Sequence, residues 1–402
     1  MNIRFTRLIS FAAAIAASTS LQARDELAER AEALARDALI VDTHIDMPYR
    51  VYEDWNDVSG HVPENQFDGP RARAGGLNVA FMSIYLPAET EALGQATALA
   101  DRLIDLVEAQ AARAPETFGI ARSTADVERL VEAGRIALPL GMENGAAIAG
   151  DLARLQHFYD RGIRYITLAH SQSNHISDSS YDPVPMWQGL SPFGETLVRE
   201  MNRLGVMVDV SHISDLAFWD VIEVTGAPVV ATHSSARHFT PGFERNVSDE
   251  IIEAIGRNGG VVMINFGSAF LTEAANQWQA VFSAARTSLM DRLETGDRGD
   301  PRVEAFSDDY RQQNPFPYAD VGIVVDHIEH VIETAGVDHV GLGSDYDGVG
   351  DSLPEGLKDV SAFPALIMEL LRRGHSESDI RKILGGNLMR VWRAVEAHAD
   401  QA

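Results

Sequence analysis

Short apolar runs rich in β-branched residues occur eight times along the chain, separated by stretches with helical periodicity. These runs are ALIVDTH, GLNVAFMSIYL, IALPLGMEN, IRYITLAH, GVMVDVSH, PVVATHSS, GVVMINF and HVGLGSDYDG. Strands that alternate with helices form parallel βα units. Eight such units predict an α/β fold, the (β/α)8 TIM barrel. A doubly wound sheet is the alternative, but no glycine-rich phosphate turn follows the first run.

The chain divides into a leader and one predicted domain. Residues 1–23 combine two arginines with a short apolar stretch and small polar residues, which is typical of a signal peptide. We expect residues 24–402 to form a single barrel, with a helical insertion or lid at about 273–318 after the seventh strand. The protein is therefore expected to be exported, periplasmic or secreted, without stable membrane insertion once the leader is cleaved. An uncleaved anchor is the alternative.

Composition excludes several classes of function. The formal net charge is -26, from 33 basic and 59 acidic residues, so a nucleic acid or an anionic membrane surface would repel the chain. The chain has no cysteine, so a thiol cannot serve as nucleophile or metal ligand. Any metal chemistry must use histidine and carboxylate side chains.

Polar residues that can bind metal or move a proton follow nearly every apolar run. In a barrel, the carboxyl ends of the strands converge on one face, so residues far apart in sequence become neighbours. Residues two apart in an extended segment point to the same side, so a His-x-Asp pair can reach one ion. A hydrogen-bonded surface pair is the alternative for each case alone, but the repetition favours a metal site. The residues are His44, Asp46, Glu143, His170, His212, His233 and Asp345.

Glu143 is the candidate for a bridge between two metal ions. It follows an apolar strand, where an unpaired charge is costly to bury, so it needs a counter-ion. An arginine is the alternative partner, but His212 and His233 end two successive strands, and neutral imidazole is a common zinc ligand. The only lysines, Lys358 and Lys382, do not lie at strand ends, so a carbamylated lysine cannot be the bridge.

Six motifs resemble those of the membrane dipeptidase family, the renal dipeptidase-like zinc peptidases. They are VDTHIDMP, GMENG, RYITLAHSQSN, VDVSH, THSSAR…ERN and GLGSDYDG, in this order from about Ala38 to Trp392. The resemblance implies a barrel with two zinc ions per chain. It implies that His44 and Asp46 bind one ion, that His212 and His233 bind the other, and that Glu143 bridges them.

The resemblance also implies the chemistry of a di-zinc dipeptidase acting on small dipeptides. A hydroxide held between the ions would attack the peptide carbonyl, because metals lower the pKa of bound water from about 15.7 to about 7. Asp345 would pass the proton to the departing amine, and His170 would face the substrate carbonyl. Arg245, in the ERN motif, would hold the carboxylate of the substrate.

Some residues depart from the family pattern. Thr43 and Ile45 stand where relatives usually have glycine and asparagine, and Gly267 replaces a tyrosine of the animal enzymes, so the substrate preference can differ. A related amidohydrolase, such as an N-acyl amino acid deacylase, and a non-catalytic binding protein on the same barrel are the alternatives. A homodimer is compatible with the sequence. We interpret His175 and His238 as loop residues.

Overall fold

Ten parallel strands form one sheet in the computed structural model, which describes residues 24–401. The predicted signal peptide therefore lies outside the described residues. The strands are β1 Ile40–Ile45, β2 Leu77–Tyr85, β3 Phe118–Ile120, β4 Ile136–Leu138, β5 Leu140–Glu143, β6 Ile163–Thr167, β7 Met207–Asp209, β8 Val230–Ala231, β9 Val261–Ile264 and β10 Val340–Leu342.

Helices alternate with the strands and cover the outside of the sheet. They are α1 at 24–37, α2 Met47–Glu53, α3 Gly69–Gly75, α4 Glu89–Ala92, α5 Ala96–Arg113, α6 Thr124–Glu132, α7 Leu152–Arg161, α8 Pro192–Leu204, α9 Asp215–Val224, α10 Asp249–Asn258, α11 Ser268–Leu271, α12 Glu273–Leu293, α13 Pro301–Gln313, α14 Val321–Ala335, α15 Phe363–Arg372, α16 Glu377–Arg381 and α17 Asn387–Ala399. Within residues 24–401, none of the helices is long and apolar enough to cross a membrane.

The sheet closes on itself into a barrel. Hydrogen-bonded neighbours run from β10 through β9, β8, β7, β6 and β5 to β2, and β1 pairs with β2. The chain after β10 then returns to β1, because the Asp345 amide donates to the His44 carbonyl at 3.1 Å and the Asp46 amide donates to the Tyr346 carbonyl at 2.8 Å. The predicted (β/α)8 barrel is confirmed.

Three details differ from the predicted strands. The run IALPLGMEN is split into β4 and β5, because Pro139 has no N–H to give to the ladder. The strand β3 was missed, since its three residues are too short to show a pattern and pair only with β4. The strand β8 has only two residues, so His233 lies in the loop beyond it rather than at its end.

The inner face of the barrel changes from apolar to polar along each strand. In β2, alternate residues point inward: Phe81 packs against Trp392 with ring centroids 5.3 Å apart, and closes the lower end with the last helix. Two and four residues later, Ser83 and Tyr85 face the upper end, where the Ser83 hydroxyl lies 3.2 Å from Glu143 Oε2. One strand face therefore joins the core to the polar end.

Gly141 makes room for a tyrosine inside the barrel. Gly141 on β5 pairs with Tyr165 on β6, and a Cβ at Gly141 would collide with the tyrosine ring. The ring therefore crosses the barrel interior and carries its hydroxyl to 3.0 Å from His44 Nδ1. Gly141, the first glycine of the GMENG motif, therefore serves packing inside the barrel.

The segment at 273–318 contains the two helices α12 and α13. They pack through aromatic side chains, with Trp278 and Phe282 ring centroids 5.0 Å apart and Phe282 and Tyr310 centroids 5.2 Å apart. The role of this segment as an insertion or lid stays a prediction.

His327 on α14 makes folding stability depend on pH. Its Nδ1 accepts a hydrogen bond from the Ala236 amide at 3.1 Å, and its Nε2 donates to the Leu271 carbonyl at 2.9 Å, so only the neutral ring fits. Burial lowers the pKa of His327 from 6.5 to about 4. Because the pKa is lower in the folded state, we expect this contribution to be complete above pH 6.5 and lost towards pH 4, about 1.4 kcal/mol per pH unit and about 3 kcal/mol in all.

The measurement is the free energy of urea unfolding against pH for the wild type and His327→Gln. We expect the two curves to converge as the pH falls through this range, since the glutamine does not titrate. Parallel curves over the whole range would contradict the assignment.

Candidate metal centre

Glu143 lies at the centre of the polar residues that end the strands. Its side chain ends β5 and is 4% exposed. Its Oε2 lies 3.4 Å from His44 Nε2, whereas its Oε1 lies 3.2 Å from His212 Nε2 and 3.3 Å from His233 Nε2. The two carboxylate oxygens therefore face two different groups of ligand atoms.

The first group surrounds Glu143 Oε2. His44 Nε2 lies 3.5 Å from Asp46 Oδ2, and one ligand atom from each of His44, Asp46 and Asp345 lies within 4.8 Å of the others. His44 Nε2 and Asp46 Oδ1 are buried and have no hydrogen-bond partner within residues 24–401. Buried polar atoms rarely stay unpaired, so these two fit a bound cation.

The second group surrounds Glu143 Oε1. His212 Nε2 and His233 Nε2 lie only 2.7 Å apart. Burial lowers the pKa of both rings well below the usual value, helped by the Arg245 charge at His212 and by His44 at His233, so both rings favour the neutral form. Two lone pairs that face each other repel unless a cation lies between them, so this group also fits a metal ion.

The charge on Glu143 is stabilised by its neighbours. Burial by itself would raise the pKa of Glu143, but the imidazoles of His44 and His170 hold it well below its usual value. The pKa of His44 is raised well above its usual value despite burial, because Tyr165 and Glu143 lie beside it. A metal ion at His44 would therefore displace a proton from Nε2.

Tyr165 orients the ring of His44. The Tyr165 hydroxyl has one proton and donates it to the Thr43 carbonyl at 3.1 Å, because a carbonyl can only accept. The hydroxyl oxygen therefore accepts from His44 Nδ1–H at 3.0 Å. This leaves Nε2, which is turned towards Glu143, available to bind a metal ion.

Thr232 and Asp209 orient the ring of His233 in the same way. Thr232 Oγ1 donates to Asp209 Oδ2 at 2.7 Å, so its oxygen accepts from His233 Nδ1–H at 2.8 Å. Asp209 ends β7, is fully buried, and also accepts from the Ser211 amide at 3.0 Å. Tyr165, Thr232 and Asp209 were not identified from the sequence as orienting residues. The only indication in the sequence was that each is a polar residue inside an apolar run.

We expect Tyr165→Phe to lower the metal affinity of the first group by about 10–100-fold, because the ring of His44 loses the partner that orients it. The free energy of unfolding of the metal-free protein should fall by about 1–3 kcal/mol, since the Thr43 carbonyl and His44 Nδ1 stay buried without a partner. Competition with a chelating indicator measures the affinity, and urea unfolding measures the stability.

The matched control is Tyr346→Phe. Tyr346 is also fully buried, and its hydroxyl donates only to the Leu357 carbonyl at 3.2 Å. It should lose stability without losing metal affinity. Equal affinity losses in the two variants would contradict an orienting role for Tyr165.

His170 and Asp345, predicted from the sequence, lie at the edge of the same centre. His170 Nε2 lies 3.4 Å from Glu143 Oε1, and its ring packs edge-on against Tyr85, 4.9 Å between centroids. Asp345 Oδ2 accepts from Asn265 Nδ2 at 2.7 Å. Burial, and then the carboxylate of Asp46, raise the pKa of Asp345 to about 7.

Gly348 makes the close approach of two carboxylates possible. A Cβ at Gly348 would collide with Asp46 Oδ2 and with Asp345 Oδ1. The preceding acid, Asp347, instead accepts from the Gln66 amide at 2.6 Å and thereby connects its loop to the loop of Gln66.

Arg245 lies beside the second group and is 2% exposed. Its Nη2 donates to the His233 carbonyl at 2.8 Å and to His212 Nε2 at 3.0 Å, and its Nη1 donates to the Ser234 hydroxyl at 2.7 Å. The guanidinium also lies 5.3 Å from the ring centre of Phe270. Its Nε has no partner in the part of the chain that the structure describes.

Three adjoining cavities open over Glu143 and the residues around it. The central cavity, about 400 Å³, is lined by Glu143, His170, His212 and Asp345 among others. A cavity of about 740 Å³ adjoins it on the side of Asp46 and Tyr85. A third, about 530 Å³, adjoins it on the side of Phe270, and its lining combines the aromatic residues Tyr181, Phe243 and Phe270 with polar ones such as Asn276 and Gln279.

The family model described as membrane dipeptidase (peptidase family M19) matches residues 28–402. The chain belongs to the membrane dipeptidase family. It is therefore a metal-dependent dipeptidase, a hydrolase that acts on peptide bonds. The family predicted from the six sequence motifs is confirmed.

Similar proteins of this family cover almost the whole chain. Dipeptidase 3 from Rattus norvegicus is 32% identical over 382 residues, which are 92% of this chain and 68% of that protein. The probable dipeptidase PvdM from Pseudomonas aeruginosa has a TM-score of 0.80 at 28% identity, covering 93% of this chain and 100% of that chain. A metallo peptidase from Rhodobacter sphaeroides, liganded with a phosphinate mimic of L-Ala-D-Ala, has a TM-score of 0.73 at 26% identity, covering 89% and 99%.

Proposed function

We propose that this dipeptidase uses two zinc ions per chain, bridged by Glu143. His44 and Asp46 would hold one ion, and His212 and His233 the other. The observation that carries the proposal is that the two carboxylate oxygens of Glu143 face different histidines. Oε2 faces His44, and Oε1 faces His212 and His233. Imidazole and carboxylate ligands suit zinc, and the absence of cysteine agrees with this donor set.

When bound, the two ions supply Lewis acidity, which activates a water molecule and polarises a carbonyl oxygen. Asp345 then acts as the proton carrier: it accepts a proton from the water and returns it to the departing amine nitrogen. Without metal ions, burial and the carboxylate of Asp46 raise the pKa of Asp345 to about 7. Bound cations would lower this pKa, so Asp345 would enter the reaction as a carboxylate that can accept a proton. His170 lines the central cavity, and there it would face the substrate carbonyl.

Arg245 would bind the carboxylate of the dipeptide. His212 Nε2 has one lone pair, so when it binds a metal ion it can no longer accept from Arg245 Nη2, and that N–H becomes available to a substrate. The unpaired Nε of Arg245 offers a second N–H. Two parallel N–H groups are the geometry that holds a carboxylate.

This placement of Arg245 orients the dipeptide across the cavities. The arginine lies against Phe270, so the C-terminal residue would extend towards the cavity lined by Tyr181, Phe243 and Phe270. The N-terminal residue would then extend past Tyr85 into the larger cavity on the side of Asp46. We therefore propose a preference for an apolar or aromatic C-terminal residue.

We also propose that the protein is exported, to the periplasm or outside the cell. The support is the leader pattern in residues 1–23, two arginines followed by a short apolar stretch and small residues. N-terminal sequencing of the protein recovered from the periplasmic fraction tests this. A mature protein that keeps residue 1 in the cytoplasmic fraction would contradict it.

Metal content and a substrate panel test the enzymatic proposal together. We expect two zinc ions per chain by elemental analysis and hydrolysis of L,L- or L,D-dipeptides. Cleavage of N-acyl amino acids alone would support the deacylase alternative. Two bound ions without cleavage of any panel member would support a non-catalytic binding protein.

The role of Arg245 is tested with a dipeptide and its C-terminal amide. The wild type should favour the free carboxylate by at least about 30-fold in kcat/KM, because an unpaired charge left in the site costs about 2 kcal/mol or more. Arg245→Gln should bring the two substrates within about tenfold of each other, and Arg245→Lys should restore part of the difference. An unchanged preference in Arg245→Gln with intact metal content would contradict the role.

A further inference from the structure

A second group of metal-binding side chains lies outside the catalytic centre. His238 is in the 3-10 turn Arg237–Phe239, Asp249 is the first residue of α10, and His330 is on α14. His330 Nε2 lies 2.7 Å from Asp249 Oδ1, and the rings of His238 and His330 stack with centroids 4.5 Å apart. One ligand atom from each of the three residues lies within 4.8 Å of the other two.

The alternative is an ordinary histidine–aspartate hydrogen bond on the surface. The chain has such a pair at His157 and Asp101, 2.9 Å apart, whose other neighbour is Arg161. The His330–Asp249 pair differs because the residue beside it is another histidine, His238, and not an arginine. Two stacked imidazolium rings would repel each other because both are positively charged. Two neutral imidazole rings and a carboxylate, in contrast, are a ligand set for zinc-class ions.

We propose that His238, Asp249 and His330 bind one divalent transition-metal ion of the zinc class, in addition to the catalytic ions. Asp249 and His238 are exposed, so an ion here would keep open positions for water. Three ligands from three separate elements would link the turn Arg237–Phe239 to α10 and α14.

The consequence concerns the loop that carries Arg245. This loop runs from β8 to α10 and contains both the turn Arg237–Phe239 and Arg245. Phe239 in the turn already packs on His327 of α14, with centroids 4.3 Å apart. An ion bound beside it holds the folded loop but not the unfolded chain, so it raises the melting temperature.

The test is equilibrium dialysis of the purified full chain against zinc(II), followed by elemental analysis. We expect the wild type to bind one equivalent more than His330→Ala, and one more than His238→Ala. The matched control is His157→Ala, which should bind as much zinc as the wild type. Dipeptide hydrolysis well below the melting temperature, where the loop is folded with or without the ion, should be unchanged in all three variants, because none of these residues belongs to the catalytic centre.

Melting temperature supplies the second measurement. Zinc added to protein already saturated at the catalytic centre should raise the Tm of the wild type and of His157→Ala, but not that of His330→Ala or His238→Ala. Equal zinc content in the wild type and both cluster variants would overturn the proposal. The difference of one equivalent does not depend on how many ions the catalytic centre holds, so failure here and failure of the di-zinc proposal are distinguishable.

Discussion

Asp345→Asn is expected to lower kcat for dipeptides by about 10²–10⁴-fold, the usual contribution of a general acid–base group, while metal content stays at the wild-type value. The asparagine keeps the size of the side chain, and its carbonyl oxygen can still accept from Asn265 Nδ2, which now lies 2.7 Å from the carboxylate. It cannot accept and return a proton. Steady-state kinetics and elemental analysis on the same preparation make the measurement.

The metal analysis decides between two roles for Asp345. Its carboxylate is close enough to His44 and Asp46 to be a ligand instead of a proton carrier. Loss of a metal ion together with activity would favour the ligand role. Asp309→Asn, an exposed carboxylate on α13, is the control and should keep both kcat and metal content.

Glu143→Gln is expected to lose at least one metal ion and to lower kcat/KM by at least about 10³-fold. In the proposed centre, the carboxylate would supply one oxygen to each metal ion, whereas an amide carries no charge and would present its NH2 to one of them. Lewis-acid stabilisation is worth several kcal/mol, and each 1.36 kcal/mol is a tenfold change in rate. Elemental analysis, kcat/KM and the rise in Tm on adding zinc measure the loss.

Glu91→Gln is the matched control for this variant. Glu91 also pairs with a histidine, His175, at 2.6 Å from Oε1 to Nδ1, but within residues 24–401 it belongs to none of the groups that could hold a metal ion. It should keep its metal ions and its activity. Two ions per chain and nearly wild-type kcat/KM in Glu143→Gln would contradict a bridging role.

The barrel, and the residues that meet at its polar end, could be predicted from the sequence. The eight apolar runs predicted the strands of the barrel, and the polar residue after each run predicted where the side chains converge. Period-two alternation placed His44 and Asp46 on one side, and the structure keeps their ligand atoms within 3.5 Å. These features are local, because they follow from residue type and from spacing within one strand.

The residues that orient His44 and His233 could not be predicted from the sequence. Tyr165 reaches His44 only because Gly141, on the neighbouring strand, leaves space for its ring. Asp209, at the end of β7, and Thr232, just after β8, together orient His233. A shift of one residue in strand register would turn these side chains to the other face, so no pattern within a single strand predicts them.

Sequence alone therefore determined the fold class, the family and the types of ligand available, since these depend on repeated local patterns and on the absence of cysteine. Only the tertiary structure decided which atoms face each other. It divided the two oxygens of Glu143 between two groups of ligands, and it brought His238 beside His330, which is distant in sequence. Those distances depend on strand register and helix packing, which arise from contacts between residues far apart in the chain.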